Sequence, residues 1–187
     1  VTVANDTICL GKNALVVGSG LNIAVNDINL EAGSFEKFKA TPELETIEKQ
    51  SKNVSGRYEK MLSGTYLPLQ YNLLARKHKL NVPEINRAKE LSNLAKTNTN
   101  DAGNLARALL ERSAYLVATA LAAVYTFSKQ KKLVFQTDGS LFWNGWNYKE
   151  NVQKQLHAFA ISKKEIEFVY KKDIAIKGAL ELPTRTQ

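Results

Sequence analysis

A single cysteine, Cys9, and two histidines, His78 and His157, stand in a chain of 187 residues. One thiol excludes an internal disulfide and any multi-thiolate zinc site, and two distant imidazoles offer no i, i+4 metal pair. A reducing, cytoplasmic setting is the expectation. Proline (4) and glycine (10) are scarce too, which excludes collagen-like and low-complexity architectures. Long hydrophobic runs are missing. The most apolar stretch, Ala114 to Phe127, contains Tyr115, Thr119 and Thr126 and falls short of the ~20 residues a membrane span needs, so it reads as a buried helix. The start has no basic segment followed by an apolar one. Val1 opens directly in a β-type run, and a preceding segment is expected.

Acidic residues are the minority, 18 Asp+Glu against 26 Lys+Arg, for a net charge of +8. That balance suits a polyanionic partner such as nucleic acid or a nucleotide. The lysines are dispersed, however: Lys129, Lys131 and Lys132, then Lys163 and Lys164, then Lys171 and Lys172, without a long run or regular aromatic interleaving. A solvated surface rather than a nucleic-acid stripe follows. With 44% hydrophobic and 24% charged residues the chain is an ordinary globular one with a real core. Its length, at ~150 residues per domain, predicts one domain or one lobe of a larger protein.

Local patterns place the elements. Val1 to Ala4, Ala14 to Val17 and Leu21 to Val25 are short β-rich runs and predict a three-stranded meander. From Pro42 the apolar period becomes helical, with one helix over Pro42 to Lys49 and another carrying Tyr58, Met61, Leu62, Tyr66, Leu69 and Leu73. Pro83 opens an amphipathic helix over Glu84 to Ala95, and the polar run Thr97 to Asp101 forms a loop and N-cap. The longest helix then spans about Ala102 to Ser128. A strand over Lys132 to Gln136, a turn at Thr137 to Ser140, a helix near Tyr148 to Ala160, a strand over Glu165 to Tyr170 and a short helix over Gly178 to Leu182 complete the pattern. The sum is an α/β lobe, a mixed sheet with a β-meander and packed helices.

Taken alone, the polar motifs each carry two readings. Asn5-Asp6-Thr7 is either local punctuation or an amide and a carboxylate delivered to a cleft. Gly18-Ser19-Gly20 is either a plain hairpin turn or a nest of backbone N–H groups facing a phosphate, and Asp138-Gly139-Ser140 divides the same way. Glu31 and Glu48 are by default solvated acids.

These motifs, in this order, resemble the hexokinase family of the actin-like (ribonuclease H-like) ATPase superfamily. Val1 to Thr7 is similar to the family's segment with the catalytic aspartate, and Leu15 to Asn22 to its phosphate-facing hairpin and the sugar-contacting asparagine that follows. Asn29-Leu30-Glu31-Ala32-Gly33-Ser34-Phe35 is similar to its Asn-x-Glu-Trp-Gly-x-Phe motif. The run Tyr58 to Leu67 resembles a helix opening and is the most specific match. Arg112-Ser113-Ala114, Thr137 to Leu141 and Lys177 to Leu180 continue it. The resemblance covers only the C-terminal, large-lobe part of a hexokinase, as one domain over residues 1–187. The upstream Asp-Leu-Gly-Gly-Thr phosphate loop and the small lobe, with its Thr-Lys sugar contacts, have no counterpart.

The resemblance implies an ATP-dependent hexokinase that phosphorylates the 6-hydroxyl of glucose or a relative, with Mg2+ on the nucleotide. Asp6 would be the catalytic base toward that hydroxyl. Asn5, Asn22, Glu31 and Glu48 would hold ring hydroxyls, with Glu43 and Glu45 as rivals to Glu48. Gly18, Ser19 and Gly20 would face the phosphates, and Gly139 and Ser140 the nucleotide. Two departures matter. The motif's Trp is Ala32, and the family's Gly-Ser-Gly-Lys-Gly turn is Ile174-Ala175-Ile176-Lys177-Gly178, where β-branched residues restrict backbone approach. They motivate an alternative, a sugar-binding regulatory protein without turnover. In either case the isolated segment is expected to be inactive, since its partner lobe is absent. A third reading, a basic-surface binding role unrelated to sugars, stays open.

Overall fold

The computed structural model describes residues 6–51 and 56–172, with only the backbone of Asp6. The β-branched run β1 (Ala14–Val17) turns back on β2 (Leu21–Val25), with Val17 opposite Leu21 and Ala14 opposite Ala24. All but Val16 and Asn22 are buried, as befits strands covered on both faces. Asn26 and Asp27, both left-handed (φ 53° and 62°), make the tight turn into β3 (Ile28–Asn29). The third strand of the meander is therefore Ile28–Asn29, while the run Val1 to Ala4 lies outside the described residues. Thr7 does not end a strand: it is fully buried in α1 (Asp6–Leu10), a short helix whose Ile8 and Leu10 cover Ala14, Val16 and Ala24.

Two further strands join in parallel. β4 (Leu133–Asp138) pairs with β1, and β5 (Ile166–Val169) pairs with β4, for a sheet order of β3-β2-β1-β4-β5. The carboxyl ends of β1, β4 and β5 thus share one end of the sheet, the place where open α/β sheets receive ligands. The expected mixed sheet is present.

The helices depart from expectation where the chain has a contact to make. α2 (Pro42–Gln50) starts as the sequence predicts, with Thr41 Oγ1 accepting from the Leu44 N–H at 3.3 Å. The single helix expected from Tyr58 onward is two, α3 (Arg57–Leu62) and α4 (Leu67–Lys77), because the intervening turn carries Gly64 to the Gly18 carbonyl, N to O 2.7 Å. α5 (Ala88–Thr97) begins four residues later than predicted. Asn72 donates to the Ile85 carbonyl and accepts from its N–H, holding that segment extended, and the Glu90 carboxylate accepts from the Asn86 and Arg87 amides at 2.7 and 3.0 Å.

The spine α6 (Asp101–Ser128) is capped by Asn100, whose side chain accepts from Gly103 N–H. At 28 residues it has the length and apolar character a membrane crossing requires, yet here it is the core helix: Ala106, Leu110, Ala114, Val117, Ala118 and Leu121 are buried in the cluster that holds Leu15, Val17 and Phe135 of the sheet. Ser113 joins it to its neighbours by donating to the Leu62 carbonyl at 2.6 Å and meeting the Tyr148 hydroxyl at 2.5 Å. Arg112 reaches Gln70, and burial lowers its guanidinium below the ordinary arginine range. α7 (Ser140–Asn144) and α8 (Tyr148–Ala158) pack beside it, with Phe142 set edge-on to Phe168 of β5 at 4.9 Å. The predicted closing helix at Gly178 to Leu182 lies outside the described residues.

Candidate functional site

Gly18, Ser19 and Gly20 form the β1–β2 turn at the carboxyl end of β1, closed by the Gly18 amide donating to the Gly20 carbonyl at 3.0 Å. Gly139 follows β4 at the same end, and Ser140 opens α7. The two strand ends meet glycine to glycine: a Cβ on Gly18 would lie 3.3 Å from Gly139 Cα, and 3.8 Å from the Ser140 amide nitrogen. All five residues predicted to face a nucleotide are therefore at one place. Thr65 secures the turn from below, its hydroxyl donating to the Ser19 carbonyl at 2.7 Å. Ser140 separates two grooves. One, about 360 Å³, runs between α5 and α7 past Lys89, Ser92, Asn93 and Asn144. The other, about 480 Å³, is bounded by Asp138, Trp143 and Tyr170.

Asn22 and Glu31 also come together. Asn22 projects from β2, its amide donating to Asn29 Oδ1 at 2.8 Å while its own oxygen accepts from the Ile23 and Ala32 amides. Asn29 in turn donates to the Glu31 carboxylate at 2.5 Å. Glu31 is exposed and left-handed (φ 46°), where a non-glycine residue is strained, and the chain of amides beneath it fixes that conformation. A carboxylate held by side-chain amides at a loop apex is an acceptor placed for hydroxyls. Behind this loop, Ala32 lines an apolar cavity of about 770 Å³ with Phe35, Phe38, Tyr58, Leu116 and Ala120. Where the family's motif has an indole, this chain has open space.

Glu48 does not join that group in this structure. It sits on α2 in a two-pronged ion pair with Arg57, Oε1 to Nε 2.8 Å and Oε2 to Nη2 3.3 Å, and Arg57 also donates to the Glu36 and Phe38 carbonyls. The pair ties α2 to α3 and to the end of the acidic loop. The rival Glu43 is engaged with Lys77 at 3.0 Å, and its hydrogen bonds hold its carboxyl below the usual range against the opposing pull of burial. Asn5, the side chain of Asp6, and Ile174 to Gly178 lie outside the described residues.

The residue that sequence reasoning left unassigned is Glu59. Its Oε2 accepts from the Leu21 amide at 3.2 Å. A Cβ on Gly20 would stand 2.7 Å from that oxygen, and one on Gly33 would stand 3.2 Å from Glu59 Cβ and 2.8 Å from the Leu21 carbonyl. At Gly33 the Leu21 backbone carbonyl excludes a Cβ, and at Gly20 a Cβ would require the Glu59 carboxylate to shift. The signal was present: Glu59 belongs to the run Tyr58 to Leu67, the most specific stretch of the sequence.

Among the described residues no group of three or more His, Cys, Asp or Glu converges on a metal position. A magnesium ion that arrives bound to nucleotide phosphates needs few protein ligands, and the side chain of Asp6 lies outside the described residues.

Several solved structures that share this fold are hexokinases or glucokinases. A hexokinase crystal structure superposes with a TM-score of 0.78 at 20% identity, over 96% of this chain and 55% of its own. Hexokinase from Schistosoma mansoni, complexed with glucose, gives 0.77 at 19% identity over 99% and 57%. A ROK family glucokinase from Streptomyces griseus, in complex with glucose and AMPPNP, gives 0.63 at 16% over 97% and 67%. The chain spans little more than half the length of the first two. No curated protein matches it by sequence. The sequence model of the family described as Hexokinase matches residues 73–181, from within α4 to beyond β5 and over more than half of the chain. With the mixed sheet, the glycine-lined strand ends and this match, the chain belongs to the hexokinase family.

Proposed function

We propose that this chain is the large-lobe segment of a cytoplasmic hexokinase that transfers the terminal phosphate of ATP to the 6-hydroxyl of glucose or a close relative. The observation that carries the reading is the convergence of Gly18-Ser19-Gly20 with Gly139-Ser140 at one end of the sheet, on the same hairpin whose second strand presents Asn22 to Asn29 and Glu31. Glucose in two of the similar structures, and AMPPNP in one of them, support it.

In this reading the backbone of residues 18–20 faces the phosphates, and Gly139 and Ser140 face the nucleotide, whose base has the α5–α7 groove beside them. Asn5, Asn22 and Glu31 hold ring hydroxyls, and Asp6 accepts the proton of the attacking one. Phosphoryl transfer needs little covalent help from the protein, so the work is positioning and charge neutralisation. Glu48 serves the sugar only if the Arg57 pair opens. ATP supplies the phosphoryl group, with Mg2+ neutralising its charge.

Glu31→Ala, in the full-length protein, is expected to weaken glucose binding by ~1–3 kcal/mol, the loss for leaving a hydroxyl unpaired in a desolvated cleft. Isothermal titration reads this directly, and unchanged affinity with an intact fold returns Glu31 to the solvent. Residues 1–187 alone are expected not to form ADP in the presence of glucose, because one phosphate-facing turn leaves the γ-phosphate mobile and an isolated lobe cannot close over the sugar. Side-by-side assays of the segment and the full-length protein test it. Comparable turnover would require a self-sufficient phosphate site in this lobe.

The second reading, a regulatory protein that binds sugar without turnover, is favoured by Ile174 and Ile176, which stand where the family has glycines. Titration of the full-length protein with glucose and ATP, followed by an ADP assay, separates the two.

A further inference from the structure

The cavity behind the acidic loop, about 770 Å³, has a size that accepts small-molecule ligands. Three rings make one wall: Phe35 stacks on Phe38 at 6.0 Å, and both meet Tyr58 edge-on at 6.0 Å. Leu116 and Ala120 of α6 make the facing wall. The hydroxyls of Tyr58 and Thr119 are engaged within the protein, donating to the Leu116 carbonyl at 2.5 Å and the Tyr115 carbonyl at 2.9 Å. Water finds few partners in such a space, and an apolar occupant is favoured. Leu30 and Phe35 remain exposed on the lining, so there is apolar surface for an occupant to cover.

Of the residues that line the cavity, only Glu31 is charged. Burial raises the Tyr58 phenol above its ordinary range, so that group stays neutral. Arg57, tied to the Glu36 and Phe38 carbonyls at the end of the loop, is already paired with Glu48. An aromatic wall beside a single carboxylate selects a flat ring that carries a cation.

We propose that this cavity binds a flat aromatic amine, its ring against Phe35, Phe38 and Tyr58 and its ammonium on Glu31, and that the bound amine opposes binding of the hexose. The site stands on the cavity alone; the opposition rests on the hexokinase reading, in which Glu31 holds ring hydroxyls. An ammonium on that carboxylate takes an acceptor away from the sugar, and by linkage the sugar weakens the amine by the same factor. Ala32 makes the room. A tryptophan at that position, as in the motif the loop resembles, would place its own indole where the ligand's ring belongs.

The test uses the full-length protein with tryptamine as the probe, and indole and indole-3-propionate as its uncharged and anionic counterparts. Isothermal titration is expected to give one tryptamine site with a Kd of about 1 mM or tighter. Indole, which has the ring without the ammonium, should bind about 10-fold more weakly, the factor for one charge-assisted hydrogen bond, and indole-3-propionate more weakly still. Saturating tryptamine should weaken glucose binding at least 5-fold, within the usual range of coupled sites, and indole less than about 2-fold. Ala32→Trp should abolish tryptamine binding and leave the glucose Kd within about 3-fold. Ala120→Leu, which narrows the cavity from α6, carries the same readout should Ala32→Trp fail to fold. A wild type that does not bind tryptamine overturns the proposal, as does tryptamine binding that survives both substitutions or equal binding of the three compounds. So does a concentration-dependent dimer that Ala32→Trp abolishes, because the cavity would then receive a second copy of this chain. Tryptamine bound in the cavity with no effect on glucose overturns the opposition. A wild type that binds no glucose defeats the hexokinase reading, while loss of tryptamine binding in Ala32→Trp still decides the amine site.

Discussion

Asp6→Asn, made in the full-length protein, is expected to lower kcat by roughly 10²–10⁴ while leaving glucose affinity nearly unchanged. The amide keeps the size and most hydrogen bonds of the carboxylate and loses only the capacity to take the proton of the attacking hydroxyl. The fold is expected to tolerate the change. Asp6 opens α1, whose buried Thr7, Cys9 and Leu10 hold it in place, and asparagine serves a helix start about as well as aspartate. The measurement is a saturating assay in which the chemical step is shown to limit turnover. A variant retaining more than about half of wild-type kcat rejects Asp6 as the base.

Much of the lobe was legible because its signals are local. The β1–β2 turn is written in Gly18-Ser19-Gly20 between two β-branched runs, and the α6 cap in Asn100 before an apolar helical period. The misplaced elements have distant causes. Gly64 and Pro68 are break signals that the apolar period from Tyr58 to Leu73 masks, and the contact that uses the break is a carbonyl at Gly18, on a different element. Nothing in Glu84 to Arg87 forbids a helix, and it is Asn72, from α4, that holds Ile85 extended.

The site divides in the same manner. Gly18, Ser19, Gly20, Gly139 and Ser140 lie in short motifs at strand ends, and the parallel pairing of β1 with β4 brings them together. Asn22 and Glu31 are nine residues apart from one strand to a loop, but the intermediary Asn29 sits between them in sequence as in space. Glu48 is implied by the resemblance alone, and no local pattern announces Arg57, whose fork fits that carboxylate on two prongs. Glu59 lies in the run Tyr58 to Leu67, but periodicity reports which face of α3 is buried and not which glycines come to rest on it.

Gly139→Ala is expected to be among the most damaging substitutions in the lobe, lowering the unfolding midpoint of the full-length protein far more than Gly11→Ala. Both glycines have backbone angles that disfavour an L side chain, φ +113° and +142°, so each alanine carries a conformational cost of about 1–3 kcal/mol. Their surroundings differ. At Gly11 the nearest atom to a new Cβ is the flexible Gln136 Cγ at 3.5 Å, an ordinary contact, whereas at Gly139 the Cβ would fall 2.1 Å from the Val17 carbonyl oxygen and 2.8 Å from the Gly18 nitrogen. Those are backbone atoms of the adjoining strand and cannot rotate away. Relief requires β1 and β4 to part next to the Val16–Asp138 pair, beside the Gly18-Ser19-Gly20 turn. The expected penalty beyond Gly11→Ala is at least ~3 kcal/mol, about 6–12 °C in a domain of this size, with loss of nucleotide affinity in whatever folded protein remains. Thermal melts of the two variants with AMPPNP titrations of each make the comparison. Equal midpoints would mean that the strand ends are not packed glycine against backbone, and the assignment of Gly139 to the nucleotide side would lose its structural basis.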